Sequence, residues 1–166
     1  MDMVTDPKNA PTEPSSEIGE LLSDFGWALR ATSMAFQLWA DGAVADLPGG
    51  ARGYLVLVAA DDPQLRSQLA IARQLSIDKT VMTYLIDALV EKSLLERKPD
   101  PNDRRVRQIV LTSSGRTELA KARARLVVTE QRLLSALTPT DAGQFRILLA
   151  GVAAAVQGAT TGCDPE

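Results

Sequence analysis

The stretch from Arg66 to Thr112, RSQLAIARQLSIDKTVMTYLIDALVEKSLLERKPDPNDRRVRQIVLT, restricts this chain more than any other part of it. Two short helical patterns meet at a tight turn, and two β-rich runs follow across a loop of Pro, Asp, Asn and Arg. Gln68 to Leu75 reads as the first helix, with Leu69, Ala72 and Leu75 on one face. Ser76-Ile77 is the turn, and Asp78 stands where its carboxylate can accept from the free N–H groups of the next helix. Ile77, just before that cap, and Met82 inside the helix are spaced to pack as a hydrophobic staple. Met82, Leu85, Ile86 and Leu89 recur at helical spacing and are expected to face the core. The opposite face presents Thr80, Thr83, Tyr84 and Asp87, with Lys79 at its flank.

Hydroxyls and one cation near a helix N-terminus suit a helix that reads a nucleic-acid groove. An ordinary solvated face accounts for this helix, taken alone, about equally well. The loop shifts the balance towards a groove reader. Leu94-Leu95-Glu96-Arg97 and Val106 to Leu111 are strand-like, and Lys98 to Arg105 between them is too long for a two-residue hairpin connection. The tip carries Arg104 and Arg105, side chains suited to phosphate and to a narrow minor groove. Asp103 is near enough in sequence to orient Arg105; as a surface ion pair it would add little stability. The whole is expected to be mainly α, a winged helix-turn-helix whose wing is the short β-hairpin.

Two blocks then resemble the multiple-antibiotic-resistance-regulator (MarR) family of bacterial transcription factors. One is LSIDKTVMTYLIDALVEKSLLERKPDPNDRR; the other is the fixed register of Arg97, Asp103, Arg105, Leu111 and Thr112. The resemblance implies that the helix from Lys79 enters the DNA major groove and that Arg105 reaches the minor groove. It also implies a dimer built from the terminal helices, and it extends more weakly from about Ile18 to Val156. Ser76 and Ser93 stand where the family often has Gly, so a positive φ at either would cost on the order of 1 kcal/mol. Tyr84 and Ala88 replace positions that are often basic, which bears on the operator sequence rather than on the class.

The flanks read as scaffold. From Glu17, with Ser16 as its cap, a long helix carries one stripe of Ile18, Leu21, Leu22, Phe25, Ala28, Leu29, Phe36 and Trp39. A second, displaced stripe is Trp27, Ala31, Met34 and Leu38, and two stripes imply burial on two sides, hence a partner subunit. Asp46 to Gly50 breaks that helix, and Ala51 to Ala60 forms an apolar one bearing Tyr54, Leu55, Leu57 and Val58. Asp61-Asp62 at its end are expected to solvate a loop. After the wing, Thr112 can cap a helix running to about Leu137, with Leu119, Ala122, Leu126, Leu133 and Leu137 as its stripe. Thr138-Pro139-Thr140-Asp141 starts the last helix, whose buried face is expected to be Phe145, Leu148, Leu149, Val152 and Val156. The expected organisation is a mobile tail over 1–16, a domain over 17–157 and a tail over 158–166. Within the domain, 17–45 and 113–157 are dimerisation helices and 51–112 is the winged DNA-binding region.

Composition excludes much else. There is no histidine, and the one cysteine, Cys163, can make neither an intrachain disulfide nor a zinc site. No phosphate-binding glycine motif occurs, so no catalytic residue, metal or cofactor is expected. No signal peptide or membrane span is read, which points to the cytoplasm. The net charge of −3 hides an asymmetry: Arg66 to Arg132 carries 14 basic against 8 acidic residues, and the remainder 4 against 13. A basic middle between acidic ends suits a face turned to phosphates.

The expected function is a homodimeric DNA-binding transcriptional regulator, a repressor on a pseudo-palindromic operator. Lys79, Thr80, Thr83 and Tyr84 are the groove readers, Arg104 and Arg105 the wing contacts, Asp103 their orienter and Arg107 a phosphate contact. The resemblance adds release by a small aromatic effector, with Trp39 and Tyr54 as first contacts in its pocket. The alternative is a winged-helix interaction module that has lost DNA and uses the same surface on a protein.

Overall fold

A computed structural model describes residues 16–65, 67–100 and 107–160. The wing tip, including Asp103, Arg104 and Arg105, therefore lies outside the described residues, as do Cys163 and all but the last residue of the expected N-terminal tail over 1–16. Helices α1 (Ser16–Ser23) and α2 (Phe25–Ala43) lead to α3 (Gly50–Asp61), α4 (Gln68–Gln74) and α5 (Lys79–Glu91). Strands β1 (Leu95–Pro99) and β2 (Arg107–Leu111) follow, then α6 (Ser113–Leu133), a 3-10 turn (Leu134–Ala136) and α7 (Pro139–Thr160). The mainly α winged helix-turn-helix is the observed fold.

The core sits where α3, α4, α5, the hairpin and the first half of α6 converge. Met82, Ile86 and Leu89 are wholly buried and Leu85 nearly so, as their spacing requires. They pack with Val56 and Leu57 of α3, Ile71 of α4, Leu95 and Ile109 of the hairpin, and Leu119 and Ala122 of α6. Ile77 packs against the same cluster, consistent with a staple to Met82. The close fit shows at Gly115: a Cβ there would lie 2.0 Å from the Leu94 carbonyl oxygen, so α6 can start against the wing only without a side chain. Gly53 does the same for α3, its absent Cβ 1.9 Å from the Pro48 oxygen.

Several expectations need correction. The first long helix is two: Asp24 leaves the helical region (φ −74°, ψ 117°) and its carboxylate accepts from Trp27 N at 2.7 Å. The apolar periodicity runs through this break, which is why it hid the cap. On α4 the buried residues are Ile71 and Ala72, whereas Leu69 is exposed; seven residues give too few repeats to choose between adjacent stripes. The first strand runs on to Pro99, paired with Arg107, so the connection is shorter than its composition suggested. Helix α6 stops at Leu133, and in the tightened turn Leu134 is buried in place of the exposed Leu137. Asp61 is not merely solvated: Arg116 and Arg123 of α6 reach it at 3.5 and 3.8 Å, and Asp62 accepts from Gln64 N.

The terminal helices differ most. Helix α7 starts as expected, Asp141 N donating to Thr138 Oγ1 at 3.2 Å and that hydroxyl donating back to the Asp141 carboxylate at 2.7 Å. Yet Phe145, Leu148, Leu149, Val152 and Val156 are all exposed in the single chain, and so are Leu21, Leu22, Phe25, Leu29, Met34 and Leu38 of the first two helices. The sequence marks these faces as apolar; the chain itself does not cover them.

Candidate nucleic-acid interface

The surface in question is the outer side of α5 with the base of the hairpin beside it. Asp78 starts α5, its carboxylate accepting from Thr80 N at 2.8 Å and Val81 N at 3.3 Å. Those backbone donors, foremost that of Thr80 and then Val81, hold the Asp78 carboxyl below its ordinary value, and the Thr80 hydroxyl contributes in the same direction. The turn before the helix needs Ser76 at φ +50°, and the exit needs Ser93 at φ +56°. Both serines thus occupy the left-handed region where Gly is at ease.

With its apolar side buried, α5 exposes Lys79, Thr80, Thr83, Tyr84 and Asp87. Tyr84 is 71% exposed. Lys79, Thr80, Thr83 and Tyr84 together line a shallow hollow of about 310 Å³. The Thr83 hydroxyl donates to Lys79 O at 2.9 Å and accepts from Gln68 Nε2 of α4 at 2.8 Å. Asp87 is engaged by the Arg97 guanidinium of β1, which pairs with its Oδ1.

The hairpin pairs antiparallel from Leu95↔Leu111 to Pro99↔Arg107. Ser67, the N-cap of α4, bridges to Gln108 of β2, so the hairpin gains a short third edge that ties it to the helix pair. Gln108 Nε2 also donates to Asp100 Oδ2 at 2.7 Å, fixing the chain as it leaves β1. Arg107 is exposed at the inner end of the described wing. Of the expected contacts, Lys79, Thr80, Thr83 and Tyr84 come together on one surface, Arg107 stands on the wing, and Asp103, Arg104 and Arg105 lie outside the described residues. Sequence reasoning overlooked Gln68 and Arg97 as supports; each acts through a partner ten or more positions away, beyond any local periodicity.

Two further hollows are larger than this one. One, of about 690 Å³, lies between α2, the start of α3 and the turn from Leu75 to Asp78, with Gln37, Arg52 and Leu55 on its wall. The other, of about 490 Å³ and apolar, lies between α2, α6 and α7, with Phe36, Leu133 and Phe145. Trp39 and Tyr54 line neither. The Trp39 ring lies under Arg132, whose guanidinium carbon is 4.2 Å from the ring centroid, and Tyr54 packs half-buried against the core. Among the described residues no helix is long and apolar enough to cross a membrane, and no cluster of three or more His, Cys, Asp or Glu could hold a metal ion.

Helix, turn, outward-facing second helix and paired hairpin define a winged helix-turn-helix protein. Residues 55–106 match the family model described as the MarR family. A MarR-family transcriptional regulator from Rhodococcus sp. RHA1 is similar at 27% identity and TM-score 0.69, over 80% of this chain and 96% of that one. CouR from Rhodococcus jostii RHA1, solved bound to p-coumaroyl-CoA, is similar at 29% identity and TM-score 0.64, over 80% and 94%. The PcaV transcriptional regulator from Streptomyces coelicolor, solved with its natural ligand, shares the fold at 24% identity and TM-score 0.65, over 82% and 96%. The winged segment thus matches the MarR family model, and the fold over most of the chain is similar to that of MarR-family transcriptional regulators.

Proposed function

We propose that two copies of this chain form a cytoplasmic repressor that binds a pseudo-palindromic operator. The observation that carries this reading is the outer face of α5, which leaves Lys79, Thr80, Thr83 and Tyr84 open beside the wing while its other side is wholly buried. Lys79 and the α5 N-terminus would meet the major groove; Arg104, Arg105 and Arg107, with Asp103 as orienter, would follow the adjacent backbone and minor groove. The apolar faces left open on α2 and α7 support a second copy, since exposed surface of this extent marks an interaction site. Two-fold symmetry would then set the α5 helices about 34 Å apart, one turn of B-DNA.

An aromatic effector belongs to the same proposal, supported by CouR having been solved with p-coumaroyl-CoA and by the hollow between α2, α3 and the helix-turn-helix turn. Gln37, Arg52 and Leu55 on the wall of that hollow are its proposed contacts, in place of Trp39 and Tyr54, which stand outside it. Titration of duplex from the flanking DNA of its own gene tests the core of the reading. Affinity should fall steeply as salt rises, because neutralised phosphates release counterions. The second reading, a protein-binding module, is favoured by the single cation on the α5 face, and it requires no duplex affinity even at low salt.

A further inference from the structure

The reading face of α5 is short of the groups that usually discriminate bases. Guanine is commonly read by Arg or Lys, adenine by Asn or Gln, and cytosine by an acceptor such as Asp. The acid on this face, Asp87, is held by Arg97. Thr83 has a single hydroxyl proton and gives it to Lys79 O, while Gln68 occupies one of its lone pairs. It therefore has no proton to offer a base. With its hydroxyl so engaged, the group Thr83 has left to offer a base is its methyl, in the hollow it lines with Lys79, Thr80 and Tyr84.

We propose that this hollow takes the C5-methyl group of a thymine in each operator half-site, with Thr83 as the specificity-determining contact and Gln68 as the residue that fixes its rotamer. The proposal rests on the DNA-binding reading above and names what that surface recognises. Threonine methyl against thymine methyl is an established mode of major-groove readout. Thymine also meets the electrostatics: its edge offers an acceptor to Lys79 and asks for no acceptor in return. Cytosine would instead bring an amino donor towards Thr83, one of whose lone pairs Gln68 already takes, and beside an acid that Arg97 pairs.

The test begins with a duplex selected from a random pool by the full chain, in which each thymine is then replaced by deoxyuridine, symmetrically in both half-sites. One thymine position per half-site should lose roughly fourfold in affinity per half-site, the effect of about 0.8 kcal/mol for one methyl-sized group. Thr83→Ser keeps the hydroxyl and its two partners and deletes the methyl; it should bring thymine and uracil to parity at that position alone. Neutral replacement at every thymine, or an unchanged thymine preference in Thr83→Ser, overturns the assignment while leaving DNA binding intact. Failure to enrich any duplex overturns the DNA-binding reading together with this one.

Discussion

The Arg97 guanidinium on β1 pairs with the Asp87 carboxylate on the outer face of α5, tying the wing to the helix it accompanies. Both side chains are partly exposed, so the pair adds little to stability, under about 1 kcal/mol. Its effect should lie in the angle between the two elements proposed to contact DNA. A double-mutant cycle of Arg97→Gln and Asp87→Asn, read as duplex affinity at fixed salt, should give a coupling of at least about 0.5 kcal/mol. Additive effects would mean that wing and helix act independently.

Arg105 is the wing arginine proposed to reach the minor groove. Arg105→Ala should weaken duplex binding by about 1–3 kcal/mol, roughly 5- to 150-fold, and leave the urea midpoint unchanged. Gel-shift titration paired with denaturation separates the two effects. Unaltered affinity would remove this arginine from the interface.

Ser76 and Ser93 hold positive φ that a β-carbon resists. Ser93→Gly and Ser76→Gly should each stabilise the chain by up to about 1 kcal/mol, the relief of left-handed strain exceeding the added freedom of the unfolded chain. Ser93→Val should destabilise it. Equilibrium unfolding in urea would detect either change, and a loss of stability in the glycine variants would contradict the strain.

Acid should loosen the start of α5. The Asp78 carboxyl lies below its ordinary value of 3.8 in the fold because the N–H groups of Thr80 and Val81 favour its charged form. Its folded value is thus lower than its unfolded one, so the stabilisation is present above the ordinary carboxylate range and is lost as pH falls through the depressed value. Asp46, held down first by its hydrogen bond with Arg125, adds a loss in the same direction. Asp78→Asn caps without titrating. It should match the parent near neutrality and show a shallower decline when unfolding is followed into acid; an unchanged decline would assign the acid sensitivity elsewhere.

Association should follow from the open apolar faces. Val152, on α7, is exposed in the single chain, so Val152→Glu should leave the winged core folded while shifting sedimentation from dimer towards monomer. Specific duplex affinity should fall with it by more than tenfold, through loss of the second half-site. A variant that stays dimeric and binds normally would place the contact on another face.

What the sequence made legible was local. Asp78, the Met82-to-Leu89 spacing and the Thr138–Asp141 pair each announce themselves within one or two helical turns, and each stands as read. The cap at Asp24 was masked because apolar spacing continues across it. Gln68 with Thr83, Arg97 with Asp87 and Ser67 with Gln108 are contacts made by the fold, with no repeat in the chain to reveal them. The outward faces of α2 and α7 mark a different limit: apolar periodicity tells which side avoids water and is silent on what excludes it.

Helix α7 meets the winged body through Arg146 with Glu130 and, near its far end, Gln157 with Gln74 at 3.2 Å. In the proposed dimer the apolar side of α7, open in a lone chain, would be covered by the second copy, so the order of the helix would depend on how many copies are present. Dilution would therefore loosen the C-terminal helix first, offering proteases a substrate before the core gives way. A regulator built so would have its lifetime set by its own abundance, with scarce copies cleared faster than plentiful ones.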